Sequence, residues 1–389
     1  MSDRDKTAIS RRKALRATAI AGAAATGAAV VASVVGASGR DPGASGTGAA
    51  GGRRGSAREL KLVTTWPKNF PGLGTGAERL ARRIEALSDG AIRVRLYAAG
   101  ELVPALGAFD AVAQGKADLY HGAEYYWQGK SRAFNFFAAV PFGMTASEMN
   151  AWVRFGGGQA LWDELAAPFN VKPFLAGNSG TQMGGWYKRE INTLDDFRGL
   201  RIRMPGLGGE VMSRLGATPV TKPGGELFQA LDQGNIDASE WVGPWNDVAF
   251  GFHTIVKNYY YPGIHEPGTA LSLGVNARLW AALSPSEQAV VEAAATAEND
   301  IMKAEFDAEN ARALAQLMQD PTIQLKRFSD EILTRKAEIA ADLLAQAATE
   351  DDLTGRVYDS FIAARGAADR WGAISERAFV AARALMTTS

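Results

Sequence analysis

Four side chains between residues 182 and 266 have the chemical types needed to hold a small charged species. Glu240 lies in NIDASEWVGPWND (235–247) and Glu266 in YYYPGIHEPG (259–268), both close to aromatic residues and a proline turn. Gln182 sits in GNSGTQMGGWYKRE (177–190), where small residues on both sides let a ligand approach the backbone or simply let the chain turn. If the two carboxylates and the Gln182 amide oxygen converge, backbone carbonyls complete an all-oxygen shell of the kind that suits Na⁺ or Ca²⁺. Arg203, in GLRIRMP (199–205), reads in two ways: a solvated charged strand face, or a planar guanidinium that clamps a carboxylate with two hydrogen bonds.

Enzymatic chemistry finds little support. The three histidines, His121, His253 and His265, show no His-x-x-x-His spacing, and there is neither a nucleophile elbow nor a phosphate-binding P-loop. Gly206, Gly208 and Gly209 are too loosely spaced for a dinucleotide site. The absence of cysteine removes disulfides, thiol nucleophiles, thiolate metal sites and lipidated cysteine together. Residues 59–389 hold 32 basic and 39 acidic side chains, a balance that argues against nucleic acid as a partner.

The elements that must position these residues read as an α/β protein. LKLVTTW (60–66) and IRVRLYA (92–98) have strand character, and between them Leu73, Ala77, Leu80, Ile84 and Leu87 recur at helical spacing. FDAVAQGKAD (109–118) and FQALDQGNID (228–237) form a weak repeat, each a helix ending near a glycine and followed by a short strand. Two such units predict two similar lobes. After the repeats come LYHGAEYYW (119–127) and ASEWVGPW (238–245), so polar and aromatic residues fall at strand carboxyl ends, where open α/β sheets bind ligands. Ser284, Pro285 and Glu287 predict a capped helix over 284–318. A last helix is expected over about 352–386, roughly 50 Å long at 1.5 Å per residue, bracing both lobes or reaching another subunit.

The N-terminus has the form of a targeting segment. Arg11 and Arg12 precede an uncharged run over 17–39 that is rich in Ala and Gly rather than Leu and Ile, which favours a twin-arginine-like export signal (1–37) over a membrane anchor, although Ala14 replaces the usual Phe. Residues 38–58 read as a flexible Gly/Ser/Ala linker.

Over most of residues 60–389 the sequence resembles the periplasmic solute-binding proteins of tripartite ATP-independent periplasmic (TRAP) transporters, the DctP type. The resemblance is carried by WPKNFPGLGTGAERLA, TQMGGWYKRE, GNIDASEWVGPWND and YYYPGIHEPG, and is closest to the branch that binds 2-oxo acids and other small monocarboxylates. It implies a two-lobed, type II-like periplasmic binding protein with a hinge: mainly lobe 1 over 59–180, mainly lobe 2 over 181–280, a spanning helix and return over 281–350, and a C-terminal helix over 351–389 that can pair two copies. It further implies an arginine clamp at Arg203, a cation site at Gln182, Glu240, the Trp241 carbonyl and Glu266, and ligand contacts from Tyr125 or Tyr126. TRAP membrane subunits would be the partners. The family pattern leads one to expect a second aromatic residue where His265 stands. A periplasmic metal-dependent enzyme acting on 2-oxo acids, or a ligand sensor for a membrane receptor, are the competing readings.

Overall fold

The computed structural model describes residues 57–386; the expected export signal and nearly all of the expected linker lie outside them. Eleven strands occur among the described residues: β1 (Arg58–Thr64), β2 (Ile92–Tyr97), β3 (Leu119–Gly122), β4 (Val171–Asn178), β5 (Gly185–Tyr187), β6 (Arg201–Arg203), β7 (Thr218–Val220), β8 (Ala238–Ser239), β9 (Asn258–Tyr261), β10 (Ala270–Asn276) and β11 (Gln324–Arg327). They build two sheets, β2-β1-β3-β10-β4 and β11-β9-β5-β8-β6-β7. Each sheet forms the centre of one lobe, giving the α/β, two-lobed class that the alternating pattern predicts. β10 lies within 181–280, the range expected to be mainly second lobe, yet it pairs antiparallel with β3 and β4 in the first sheet. The chain thus crosses to the second sheet between β4 and β5 and returns between β9 and β10.

The internal repeat has a structural counterpart. Helix Ala108–Ala113 runs through Gly115 into β3, and helix Leu227–Asp232 runs through Gly234 into β8; both glycines have φ of 74°, a left-handed conformation that a side chain would oppose. β3 lies parallel to β1, and β8 parallel to β6. In each pair an aspartate zips the junction. Asp118 gives its N–H to the Lys61 carbonyl (3.0 Å) and accepts the Lys61 N–H on its carboxylate (2.7 Å), while Asp237 does the same with Arg201 at 2.7 and 3.1 Å.

Helix Leu73–Leu87 buries Leu73, Ala77, Leu80 and Ile84 as its spacing predicts; Leu87, at its end, is exposed. Helix Pro285–Leu317 begins with the expected Ser284–Glu287 capping box. It packs on β4 and helix Leu73–Leu87 in the first lobe and on helix Pro244–Phe250 in the second. The last segment differs from expectation. Instead of one helix there are two, Asp352–Ile374 and Glu376–Arg383, broken at Ser375. Local polar groups account for the break: the Ser375 hydroxyl donates to the Trp371 carbonyl (2.8 Å), and the Arg377 guanidinium folds back onto the carbonyl and carboxylate of Asp369. No described helix is long and apolar enough to cross a membrane.

One lysine is buried without a carboxylate. Lys336, on helix Asp330–Ala347, is 3% exposed, and its Nζ sits over the rings of Phe328 (3.9 Å) and Phe197 (4.8 Å). The two rings favour the cation, but burial pulls its pKa down to about 7. The unfolded chain holds this proton up to about pH 10. Between about 7 and 10 the unfolded state therefore binds more protons and stability rises with pH; below about 7 the folded protein bears the full cost of the buried charge. Lys336→Met is expected to raise the melting temperature at pH 7 by roughly several degrees, with the gain shrinking toward pH 10. Melting curves of both proteins across that range check it; a gain that does not depend on pH would contradict it.

Candidate functional site

All seven residues singled out in the sequence are buried or half-buried, and they gather between the sheets. Arg203 ends β6, Glu240 and Trp241 follow β8, and Tyr125 and Tyr126 lie in the 3₁₀ turn Glu124–Trp127 after β3. Gln182 and Glu266 occupy the β4–β5 and β9–β10 segments, two of those on which the chain crosses between sheets. These crossings are tied together: the Gln182 N–H donates to the Glu266 carbonyl (3.1 Å), the Gly263 N–H to the Gln182 carbonyl (3.0 Å), and the Thr181 hydroxyl to the Pro267 carbonyl (2.8 Å).

Arg203 is 1% exposed, so the solvated-face reading fails. Its alternation with apolar neighbours is as expected, but Arg201 alone reaches solvent, where it pairs with Asp237. The Arg203 Nη1 donates to the Glu240 carboxylate and to the Glu240 carbonyl (3.3 Å), Nε reaches the Lys222 carbonyl (3.3 Å), and the guanidinium lies 4.8 Å from the Trp241 ring. Nη2 has only the Tyr126 hydroxyl, at 3.4 Å, leaving an edge for another acceptor. Burial works against this charge, but the carboxylates, Glu240 above all and Glu266 with it, outweigh it and raise the pKa.

Glu240 is fully buried; its second oxygen is 3.1 Å from His265 Nε2. Glu266 accepts from Gln182 Nε2 (2.8 Å), the Tyr125 hydroxyl (3.3 Å) and the Thr269 hydroxyl. Burial first, and Glu240 second, push its pKa up to about 7. Burial also raises both tyrosines, Tyr126 to about 12, so their hydroxyls remain donors at neutral pH. Gln182 Nε2 faces Ser179, Glu266 and Thr269, whereas its Oε1 is buried with no donor. A buried acceptor without a donor, beside two buried carboxylates, has the donor chemistry that a hard cation requires. Ligand atoms of Glu240, His265 and Glu266 lie within 4.8 Å of one another.

Trp66, Leu73, Val242 and Leu271 complete a small cavity with Tyr125, Tyr126, Ser179, Gln182, Trp241 and Thr269. Tyr125 and Tyr126 both line it, one directed to Glu266 and the other to Arg203. Sequence reasoning missed Ser179, Thr269 and Trp66 and gave His265 no partner. Trp66 was findable by the rule applied to the repeats, because it follows the carboxyl end of β1.

Residues 62–351 match the DctP family, described as bacterial extracellular solute-binding protein, family 7. The chain belongs to this family. Its members bind solutes rather than transform them, in agreement with the weak case for catalysis. A monocarboxylate 2-oxoacid-binding periplasmic protein of Nostoc sp. is 40% identical over 82% of this chain and 87% of its own length. A TRAP periplasmic solute-binding protein of Pseudoalteromonas atlantica, solved with sodium and pyruvate, is 36% identical with a TM-score of 0.81, covering 83% of this chain and 98% of that one. Another from Colwellia psychrerythraea, with calcium and pyruvate, is 37% identical with a TM-score of 0.81, covering 83% and 99%.

A cation bound on the Glu266 carboxylate would compete with its proton. Below about pH 7 that competition costs up to tenfold per pH unit, and above it the effect fades. Calorimetric titration with Ca²⁺ should therefore show about tenfold weaker binding at pH 6 than at pH 8; equal affinities would contradict the raised pKa.

Proposed function

We propose that this protein is the extracytoplasmic receptor of a TRAP-type secondary transporter and that it takes a small 2-oxo or 2-hydroxy monocarboxylate. The observation that carries the reading is the gathering, around one small cavity between the sheets, of a buried arginine with a free edge, two buried carboxylates and an amide oxygen without a donor. The free edge of Arg203 suits a carboxylate. Gln182 through Oε1, Glu240, the Trp241 carbonyl and Glu266 would hold Na⁺ or Ca²⁺, and Tyr125 and Tyr126 would contact the ligand. Such a cation would supply positive charge to ligand oxygens, and a 2-oxo or 2-hydroxy acid offers them on two adjacent carbons. The named relatives, with pyruvate beside sodium in one and calcium in the other, support this choice.

Charge balance accommodates either ion. Glu240, Glu266 and a ligand carboxylate bring three negative charges against one positive charge on Arg203, which Ca²⁺ neutralises. With Glu266 protonated, as its raised pKa allows near neutrality, Na⁺ neutralises the remainder. We place the receptor in the periplasm, exported through the twin-arginine-like signal expected over residues 1–37, with TRAP membrane subunits as its partners.

The C-terminal helices supply a surface for pairing two copies. Trp371, Ile374 and Phe379 are 68%, 75% and 63% exposed, and a groove between helix Asp352–Ile374 and helix Ala146–Phe155 lies beside Phe155, itself 90% exposed. A second copy of the same helix, apolar on that face, is the occupant we propose. Light scattering on the mature protein is expected to give a dimer, and the double substitution Trp371→Asp with Phe379→Asp a folded monomer; a monomer before substitution would refute it.

Calorimetry with pyruvate, 2-oxobutyrate, lactate and acetate, each with and without Na⁺ or Ca²⁺, tests the ligand. Binding of the first three, cation-dependent and absent for acetate, is expected. Arg203→Ala should cost on the order of 3–5 kcal/mol of pyruvate affinity, because it strands a buried charge. An affinity within twofold of the unaltered protein would remove Arg203 from the site.

A further inference from the structure

Trp66 stands at the seam of the two lobes, and a partner fixes its orientation. It is 2% exposed, and its Nε1 donates to His121 Nδ1 at 2.8 Å, while His121 Nε2 lies 3.1 Å from the Ala176 carbonyl. A carbonyl only accepts, so Nε2 carries the proton and Nδ1 is left as the acceptor for the indole. Each nitrogen of this buried ring has its role set by its neighbour. The indole held in this way meets Trp241 of the other lobe edge to face at 6.3 Å and Tyr126 at 6.2 Å.

Two spaces lie on either side of this pair of indoles. Inside is the small cavity, whose lining includes polar residues, Ser179, Gln182 and Thr269, and apolar ones, Leu73, Val242 and Leu271. Beyond the indoles is a larger pocket of about 540 Å³ lined by Pro67, Pro104, Leu106 and Pro223 together with Thr65 and Gly225. The neighbours of Trp66 in the chain, Thr65 and Pro67, thus face the outer pocket while Trp66 faces the inner one. On the opposite lobe the same division recurs: a Cβ on Gly224 would lie 2.7 Å from the Trp241 ring, and Gly225 lines the outer pocket.

We propose that Trp66, locked by His121, is the residue that limits the chain length of the ligand. This rests on the monocarboxylate reading. With the acid group directed to Arg203 and its adjacent oxygen toward Gln182, the carbon tail is left to the apolar lining, of which Trp66 and Trp241 are part, and the outer pocket begins at Thr65 and Pro67, the chain neighbours of Trp66. Each methylene beyond the cavity must displace an indole that is both packed and hydrogen-bonded. Removing the indole joins the two spaces and offers the tail an apolar surface, where a buried methylene is worth about fourfold in affinity.

The test is calorimetry of the full mature protein with pyruvate, 2-oxobutyrate and 2-oxohexanoate in the presence of Ca²⁺, for the unaltered chain, Trp66→Ala and Trp66→Phe. Unaltered protein should bind pyruvate more tightly than 2-oxohexanoate. In Trp66→Ala the ratio between the two should move toward the longer acid by at least tenfold, with about 60-fold the limit for three methylenes, and Trp66→Phe should fall between. Melting curves establish that each variant is folded, and the milder variant carries the test if the alanine form is not. A ratio unchanged within twofold in a folded variant overturns the proposal, as does an unaltered protein that takes 2-oxohexanoate as readily as pyruvate. Pyruvate binding by the unaltered protein separates the two readings: its loss would sink the ligand assignment, whereas a fixed ratio with pyruvate still bound would sink only the role of Trp66.

Discussion

A guanidinium that is 1% exposed must be compensated, and the architecture between the sheets follows from that requirement. Glu240 supplies the counter-charge to Arg203 from the neighbouring strand end, and the parallel pairing of β6 with β8 brings the two to the same level. The compensation leaves a second carboxylate, Glu266, facing the first without a cation of its own among the side chains. It is met by hydroxyls and an amide, which satisfy its hydrogen bonds without supplying charge. The site therefore combines one ion pair with one underneutralised acid, and it is this imbalance that gives it a chemistry beyond packing.

Much of this was legible in the sequence, and for definable reasons. Alternation in GLRIRMP put Arg201 and Arg203 on one face, and the repeated helix-glycine-strand unit marked where two strand ends would meet. The repeat proved to be more than a shared turn, since Asp118 and Asp237 make the same pair of backbone contacts with β1 and β6. Resemblance to a family added the assignment of roles, which no spacing could supply. Convergence of Gln182 with Glu266 was hidden because it depends on two crossings 84 residues apart in the chain.

Other features were illegible because they depend on contacts that have no periodicity. The helix break at Ser375 arises from one hydroxyl and one arginine folding back, within a stretch whose apolar spacing continues through it. His265 was unexpected as a partner for Glu240, since its neighbours Pro262 and Pro267 read only as a turn. Lys336 offered no sign that it would be buried under two phenyl rings, because a lysine on an amphipathic helix ordinarily reaches solvent.

Among the segments that join the lobes, the β4–β5 and β9–β10 crossings run side by side and are bonded to each other, while helix Pro285–Leu317 carries the chain once more from the first sheet to β11 in the second. Bodies joined by crossings that are bonded to each other cannot swing freely. They can turn about the line through those crossings, as a door turns on paired pins, with helix Pro285–Leu317 running across both lobes as a further link. Because Gln182 and Glu266 are on the pins rather than on the door, any charge placed between them acts at the axis itself, where a small local change is translated into the largest displacement at the far rim.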